Sequence, residues 1–92
     1  MAKAIITLKI MPISPEVDME QLEVVCMEKI VGFTGKTETK VDIEPIAFGL
    51  KALNIKFVMD EDLGSTETLE KTIEDLDNVS SVEVTDMRRA IQ

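Results

Sequence analysis

The side chains that most often move protons or hold metals are scarce in this chain. Histidine is absent, which removes both the commonest general base at neutral pH and the commonest metal ligand. Serines and threonines are present, but no imidazole can take a proton from them. The one cysteine, Cys26, falls on the apolar side of a helical pattern and reads as a buried, inert thiol with no intrachain disulfide partner. No CxxC pair offers a zinc or iron site. Asp60, Glu61 and Asp62 are three consecutive carboxylates, but they lack the alternating spacing and the distal glutamate of a calcium loop. Neighbouring carboxylates on an extended chain also point apart. The expectation is a solvated acidic loop ahead of a helix, whose N-terminus favours negative charge. No catalytic residue, cofactor site or metal site is assigned, and the chain is not expected to be an enzyme.

Two segments remain unusual. Pro45-Ile46-Ala47-Phe48-Gly49-Leu50 is an apolar run with a proline and a glycine where a polar hairpin connection is the norm. Phe48 beside Gly49 fits either a core residue or an exposed aromatic anchor of the kind that carries interfaces. Asp86-Met87-Arg88-Arg89 places the chain's only adjacent pair of basic residues near the end of an acidic sequence. That pair reads either as a frayed tail balancing local charge or as a contact point.

The elements that must position these residues follow from periodicity. Ala4, Ile6, Leu8 and Ile10 alternate with Lys3, Ile5, Thr7 and Lys9, which predicts a strand with one buried face, stopped by Pro12 and Pro15. Asp18 reads as an N-cap with Gln21 three residues on, ahead of a helix over 19–30. Gly32 and Gly35 bracket a turn. Thr37, Thr39, Val41 and Ile43 form a second strand, which Pro45 ends or forces to an edge. Leu53, Ile55, Phe57 and Met59 form a third. Gly64-Ser65 opens a second helix with Leu69, Ile73 and Leu76 on one face. Val82 and Val84 face inward on a last strand, and 86–92 is a short tail. The order βαββαβ predicts an α+β, ferredoxin-like sandwich with a four-stranded antiparallel sheet and both helices on one face.

Ninety-two residues are one domain, 1–92, with no room for a second core. The formal net charge is −8, from 18 acids and 10 bases. Phosphate backbones and anionic membranes repel such a surface, whereas a basic protein partner would be attracted. Eight of the acids (Asp60, Glu61, Asp62, Glu67, Glu70, Glu74, Asp75, Asp77) lie around the second helix, with Lys71 the one base among them. The apolar run 4–8 is too short for a signal core or a membrane span, so a cytoplasmic location is expected.

The two unusual segments carry a resemblance. The run from Glu44 through Pro45, Phe48, Gly49, Leu50 and Lys51 to Ile55 resembles the signature of the elongation factor 1-beta family. The ending Val82-Glu83-Val84-Thr85-Asp86-Met87-Arg88-Arg89 and the start Ile10-Met11-Pro12, with Ser14, Pro15 and Asp18, are similar to it as well. The small size resembles the archaeal form. This resemblance implies a ferredoxin-like exchange domain that promotes replacement of GDP by GTP on elongation factor 1-alpha, binding its GDP-bound and nucleotide-free forms. It implies that Phe48 and Gly49 meet the GTPase. It also implies that Arg89, with Arg88 beside it, stands where the family has a lysine directed at the magnesium and phosphate site. Arginine is a planar fork and lysine a compact point charge, so that role is expected to carry over in part.

The competing reading is a small-molecule-sensing regulatory domain of the same fold. Glycine-rich joins between strand and helix would favour it, and the join 11–18 has prolines and no glycine. A structural role in a ribonucleoprotein is opposed by the charge.

Overall fold

The computed structural model describes residues 3–35 and 38–90. Strand β1 (Lys3–Pro12) alternates buried and half-exposed positions along its whole length. Helix α1 (Met19–Thr34) starts at Asp18, whose carboxylate accepts the N–H groups of Glu20 at 3.0 Å and Gln21 at 3.3 Å. Two orphan donors of the first turn are thereby satisfied. Strands β2 (Thr39–Pro45) and β3 (Lys51–Asp60) form a hairpin, and a single 3-10 turn (Glu61–Leu63) leads toward helix α2 (Glu67–Glu74). The Ser65 hydroxyl accepts the Glu67 N–H at 3.1 Å at the start of α2. Strand β4 (Val79–Ala90) closes the chain order.

All strand pairs are antiparallel and the sheet order is β2-β3-β1-β4. With two helices this is the α+β ferredoxin-like arrangement expected from the pattern. Ile6, Leu8 and Ile10 of β1 and Leu53, Ile55 and Phe57 of β3 meet Leu22, Cys26 and Ile30 of α1 and Leu69 and Ile73 of α2 in one core. Each such aliphatic side chain contributes about 1.5–3 kcal/mol by leaving water. The central pair β1 and β3 supplies the sheet's share of this core, α2 also lies along β4, and the unusual segments fall in the turn after β2 and in β4.

Besides Leu76, expected on the second helix but lying just beyond α2 and packing on the core from the turn after it, two boundaries differ from the sequence expectation. Helix α1 does not stop at Ile30; it runs through Gly32 to Thr34. Phe33 continues the apolar face onto the core, and Gly35 ends the helix at φ 80°, donating its N–H to the Val31 carbonyl at 2.7 Å. Only a glycine takes that conformation without strain. The second correction is larger: Asp86, Met87, Arg88 and Arg89 are not a tail. They lie in β4 and pair with the first half of β1. That half of β1 has β3 on one side only, so its other edge needs a strand to satisfy its backbone. The expected strand residue Thr37 and the tail residues 91–92 lie outside the described residues.

Candidate functional site

The β2–β3 hairpin closes through a tight turn. Pro45 pairs with Lys51, the Ile46 N–H donates to the Leu50 carbonyl at 2.8 Å, and the Leu50 N–H donates to the Ala47 carbonyl at 2.9 Å. The two central residues, Phe48 and Gly49, have φ of 54° and 81°. Positive φ at both positions is what a type I′ turn requires, and Asn-Gly is its usual occupant. Phenylalanine there costs about 1–2 kcal/mol of backbone strain. The side chain gains nothing in return within the chain, because Phe48 is 97% exposed. Of the two sequence readings, a core position is ruled out, and Phe48 stands in solvent.

Neighbouring chain props the turn. A Cβ on Gly49 would stand 3.5 Å from the Pro15 Cβ, so the turn rests on the β1–α1 connection. Between them lies an open cleft of about 390 Å³ lined by Ser14, Val17, Asp18, Glu20, Ile43 and Lys51, among others. Farther along the hairpin, Asn54 donates its side-chain N–H to Glu44 at 3.1 Å. Ile13, Ile43 and Ile46 are exposed as well, so this end of the molecule presents apolar groups around Phe48.

The two arginines are placed by a β-bulge. Leu8 pairs with Val84 and Thr7 with Asp86, leaving Thr85 as the extra residue. One extra residue flips the side-chain alternation of everything after it. Val82 and Val84 pair with Ile10 and Leu8 on the helix-covered face; beyond the bulge Met87 and Arg89 pair with Ile6 and Ala4 on that same face. Arg88 pairs with Ile5 and belongs to the open face. The two arginines therefore point in opposite directions and do not form one patch. Arg88 donates from Nε to Asp86 at 3.0 Å. Arg89 donates from Nε and Nη2 to the two Glu61 carboxylate oxygens, both at 2.9 Å. The Arg89 hydrogen bond and charge hold the Glu61 carboxyl below the usual glutamate range. Lys3 and Asp60 lie 3.5 Å apart at the same end of the sheet. The carboxylates of Asp60 and Glu61 are thus engaged by cations of the chain itself, and among the described residues no group of three or more His, Cys, Asp or Glu is placed to hold a metal.

The structure does not bring Phe48 and Arg89 together. Leu53, near the hairpin turn, pairs with Ile10, whereas Arg89 pairs with Ala4. Residues 4 to 10 of a strand span about 20 Å, so the two positions mark opposite ends of the sheet. The molecule measures 42 Å along its longest axis. Residues 5–90 match the family described as the EF-1 guanine nucleotide exchange domain. The chain belongs to that family. Its activity is accordingly guanine nucleotide exchange in translation elongation. The elongation factor 1-beta of Methanothermobacter thermautotrophicus is 44% identical over 89 residues, covering 97% of this chain and 98% of that protein. The elongation factor 1-beta of Staphylothermus marinus is also 44% identical, covering 97% and 98%. Among solved structures, the de novo designed protein Foldit4 superposes with a TM-score of 0.63 at 19% identity, covering 98% of both chains. That likeness concerns the fold alone. Exchange-family membership gives no support to the small-molecule-sensing alternative.

The sequence reading missed the bulge and the Glu61–Arg89 pair. A signal for the bulge was present: the apolar positions Val82, Val84 and Met87 are spaced by two and then by three, a break of period that marks an inserted residue. Nothing in the sequence pairs Glu61 with Arg89, because β4 returns beside β1 only in three dimensions.

Proposed function

We propose that this chain, as one exchange domain over 1–92, accelerates GDP release from elongation factor 1-alpha in the cytoplasm by engaging both its GDP-bound and nucleotide-free forms at two separated points. The observation that carries this reading is Phe48: a bulky aromatic held fully in water, on a turn whose backbone disfavours it. A side chain retained at that cost fits an anchor for a partner's apolar pocket. Gly49 gives the turn its shape and its close seat on Pro15.

The second point is the Arg88–Arg89 end of β4. Arg89 already grips a carboxylate with two parallel N–H donors, the geometry that also fits phosphate. Exposed ion pairs contribute little, so a partner's anionic group near the nucleotide can replace Glu61. Arg88 on the open face is the secondary contact. Exchange needs no bond to be made or broken, and so no cofactor. The domain binds the nucleotide-free GTPase more tightly than the GDP form, and by reciprocity weakens GDP. Each tenfold weakening requires about 1.4 kcal/mol of coupling. The acidic surface disfavours direct contact with nucleic acid or anionic membrane.

The deciding experiment is release of fluorescent GDP from the cognate elongation factor 1-alpha with this protein at catalytic amounts. Release should accelerate and saturate. Release at the intrinsic rate, while another exchange factor works in the same assay, would remove the proposal.

A further inference from the structure

Helix α1 has a second apolar stripe whose outer residues, Val24 and Val31, the core does not use. Leu22, Cys26 and Ile30 point into the sheet and are fully buried. Around the helix from them, Val24, Met27 and Val31 recur at spacings of three and four, which places them in one stripe; Met27, half-buried, is its margin against the core. Val24 is 57% and Val31 42% exposed. A solvent-facing helix side is ordinarily polar, and valine is a poorer helix former than the glutamate or lysine usual there. Neither helix formation nor solubility therefore accounts for Val24 and Val31.

Their surroundings have a definite form. Val24, Met27 and Val31 floor a shallow groove whose walls include Glu23, Glu28 and Gly32. At Gly32 an added Cβ would meet nothing within 4 Å, so the chain itself does not fill this side of the helix. Glu20 extends the rim at the N-terminal end, one turn before Val24, and Lys29 is the only base of α1. An apolar floor with acidic walls along one helix suits one more helix laid alongside.

We infer that the outer face of α1 is a docking surface for a basic amphipathic helix of a protein partner. Its apolar side covers Val24, Met27 and Val31, and its lysines or arginines meet Glu20, Glu23 and Glu28. The charge decides among possible occupants. A second copy of this chain would bring its own glutamates against these. An anionic membrane would be repelled by them. A basic amphipathic helix satisfies both floor and walls. The surface lies on α1 and includes neither the Phe48 turn nor the arginines of β4, so it can be occupied independently of them.

The test uses a synthetic peptide as long as α1, with leucines at helical spacing on one face and lysines on its flanks. Amide NMR shifts of the full chain should concentrate at Val24, Met27 and Val31. Affinity should fall with added salt. The double variant Val24→Ser, Val31→Ser should keep the wild-type melting temperature and bind about tenfold more weakly. Equal binding of a peptide with the same leucines and glutamate flanks would overturn the inference, as would absence of shifts at about 1 mM peptide, the edge of measurable affinity. Self-association of the wild type that the double variant abolishes would assign the face to a second copy instead. Sedimentation with anionic vesicles would assign it to a lipid surface.

Discussion

Arg89 grips both carboxylate oxygens of Glu61, each at 2.9 Å, and so ties the end of β4 to the turn that follows β3. In the proposed complex this pair competes with the partner. Glu61→Gln should therefore release Arg89 and raise the exchange rate, on the order of two- to threefold, since exposed pairs are weak. Arg89→Ala should lower exchange, and Arg89→Lys should keep most of it. Melting temperatures should barely move in any of the three. Because the folded-state Glu61 value is lowered, the pair adds stability above the ordinary glutamate range and loses it as pH falls through that range and below. A titration of the Glu61 carboxyl by NMR should show that downward displacement, and Arg89→Ala should abolish it. An unchanged exchange rate in Glu61→Gln and Arg89→Ala alike would leave the pair a purely structural tie.

Phe48 makes a different prediction, because its backbone is the costly part. Phe48→Gly relieves the positive φ and should raise stability by about 0.5–1 kcal/mol. The same change removes the anchor, so affinity for elongation factor 1-alpha should drop by about 2 kcal/mol, some thirtyfold. Phe48→Ala should show the binding loss without a stability loss. Thermal melting and partner titration on the two variants separate the terms. A melting temperature that falls sharply in both would mean the ring has a structural role that its exposure does not suggest.

The parts of this molecule that were legible in sequence are those governed by local period. β1 shows period two in burial from Lys3 to Pro12, and β3 pairs with it without a register shift from Lys3 to Ile10. The Asp18 cap is read from one residue type at one position. The failures share a cause. Gly32 looks like a helix stop, yet it is carried because Ile30 and Phe33, which pack on the core on either side of it, with the Gly35 cap beyond, outweigh a cost of about 1 kcal/mol. Asp86, Arg88 and Arg89 look like solvent-exposed tail because their type is polar. Their place in a strand is set by the bare edge of β1, which lies some eighty residues away in sequence. Of the candidate site, the Phe48 turn was recognisable from its composition, while the direction of each arginine depended on the single inserted residue Thr85.

Cys26 provides a test of the core that is independent of any partner. Burial pushes its thiol up to about 12, above the ordinary value of about 8.5. A raised value means that the folded state favours the protonated thiol. Its contribution is fully present below the unfolded value and is lost as pH rises through the alkaline range. Stability measured by denaturant should therefore fall above about pH 9, by up to 1.4 kcal/mol per pH unit. Cys26→Ala should flatten that slope while lowering stability at neutral pH through the cavity it leaves. Thiol reagents should label Cys26 at the rate of global unfolding. Rapid labelling of the native protein at neutral pH would show that the α1–sheet interface opens locally.

The separation of Phe48 and Arg89 yields the last prediction. The two residues lie at opposite ends of the sheet, with β1 between them acting as a strut of about 20 Å or more. Among the described residues no hydrogen bond links them. Mutations so far apart, without shared partners, ordinarily add in free energy. If the GTPase contacts each end through a different part of its surface, the effects of Phe48→Ala and Arg89→Ala on GDP release should multiply, to within about a factor of two. Additivity would mean that the domain works as a rigid spacer: one end anchors, the other contests the anionic site, and the strut fixes the distance between them. A double variant no worse than the worse single variant would mean that one contact forms only after the other. The partner would then be closing over the domain in sequence, and the loss from Arg89→Ala should vanish once Phe48 is gone. Measuring release for wild type, both single variants and the double variant, at saturating and at limiting concentrations of exchange factor, distinguishes the two. A rigid spacer keeps the product rule at both concentrations, whereas ordered closure departs from it most at the limiting one.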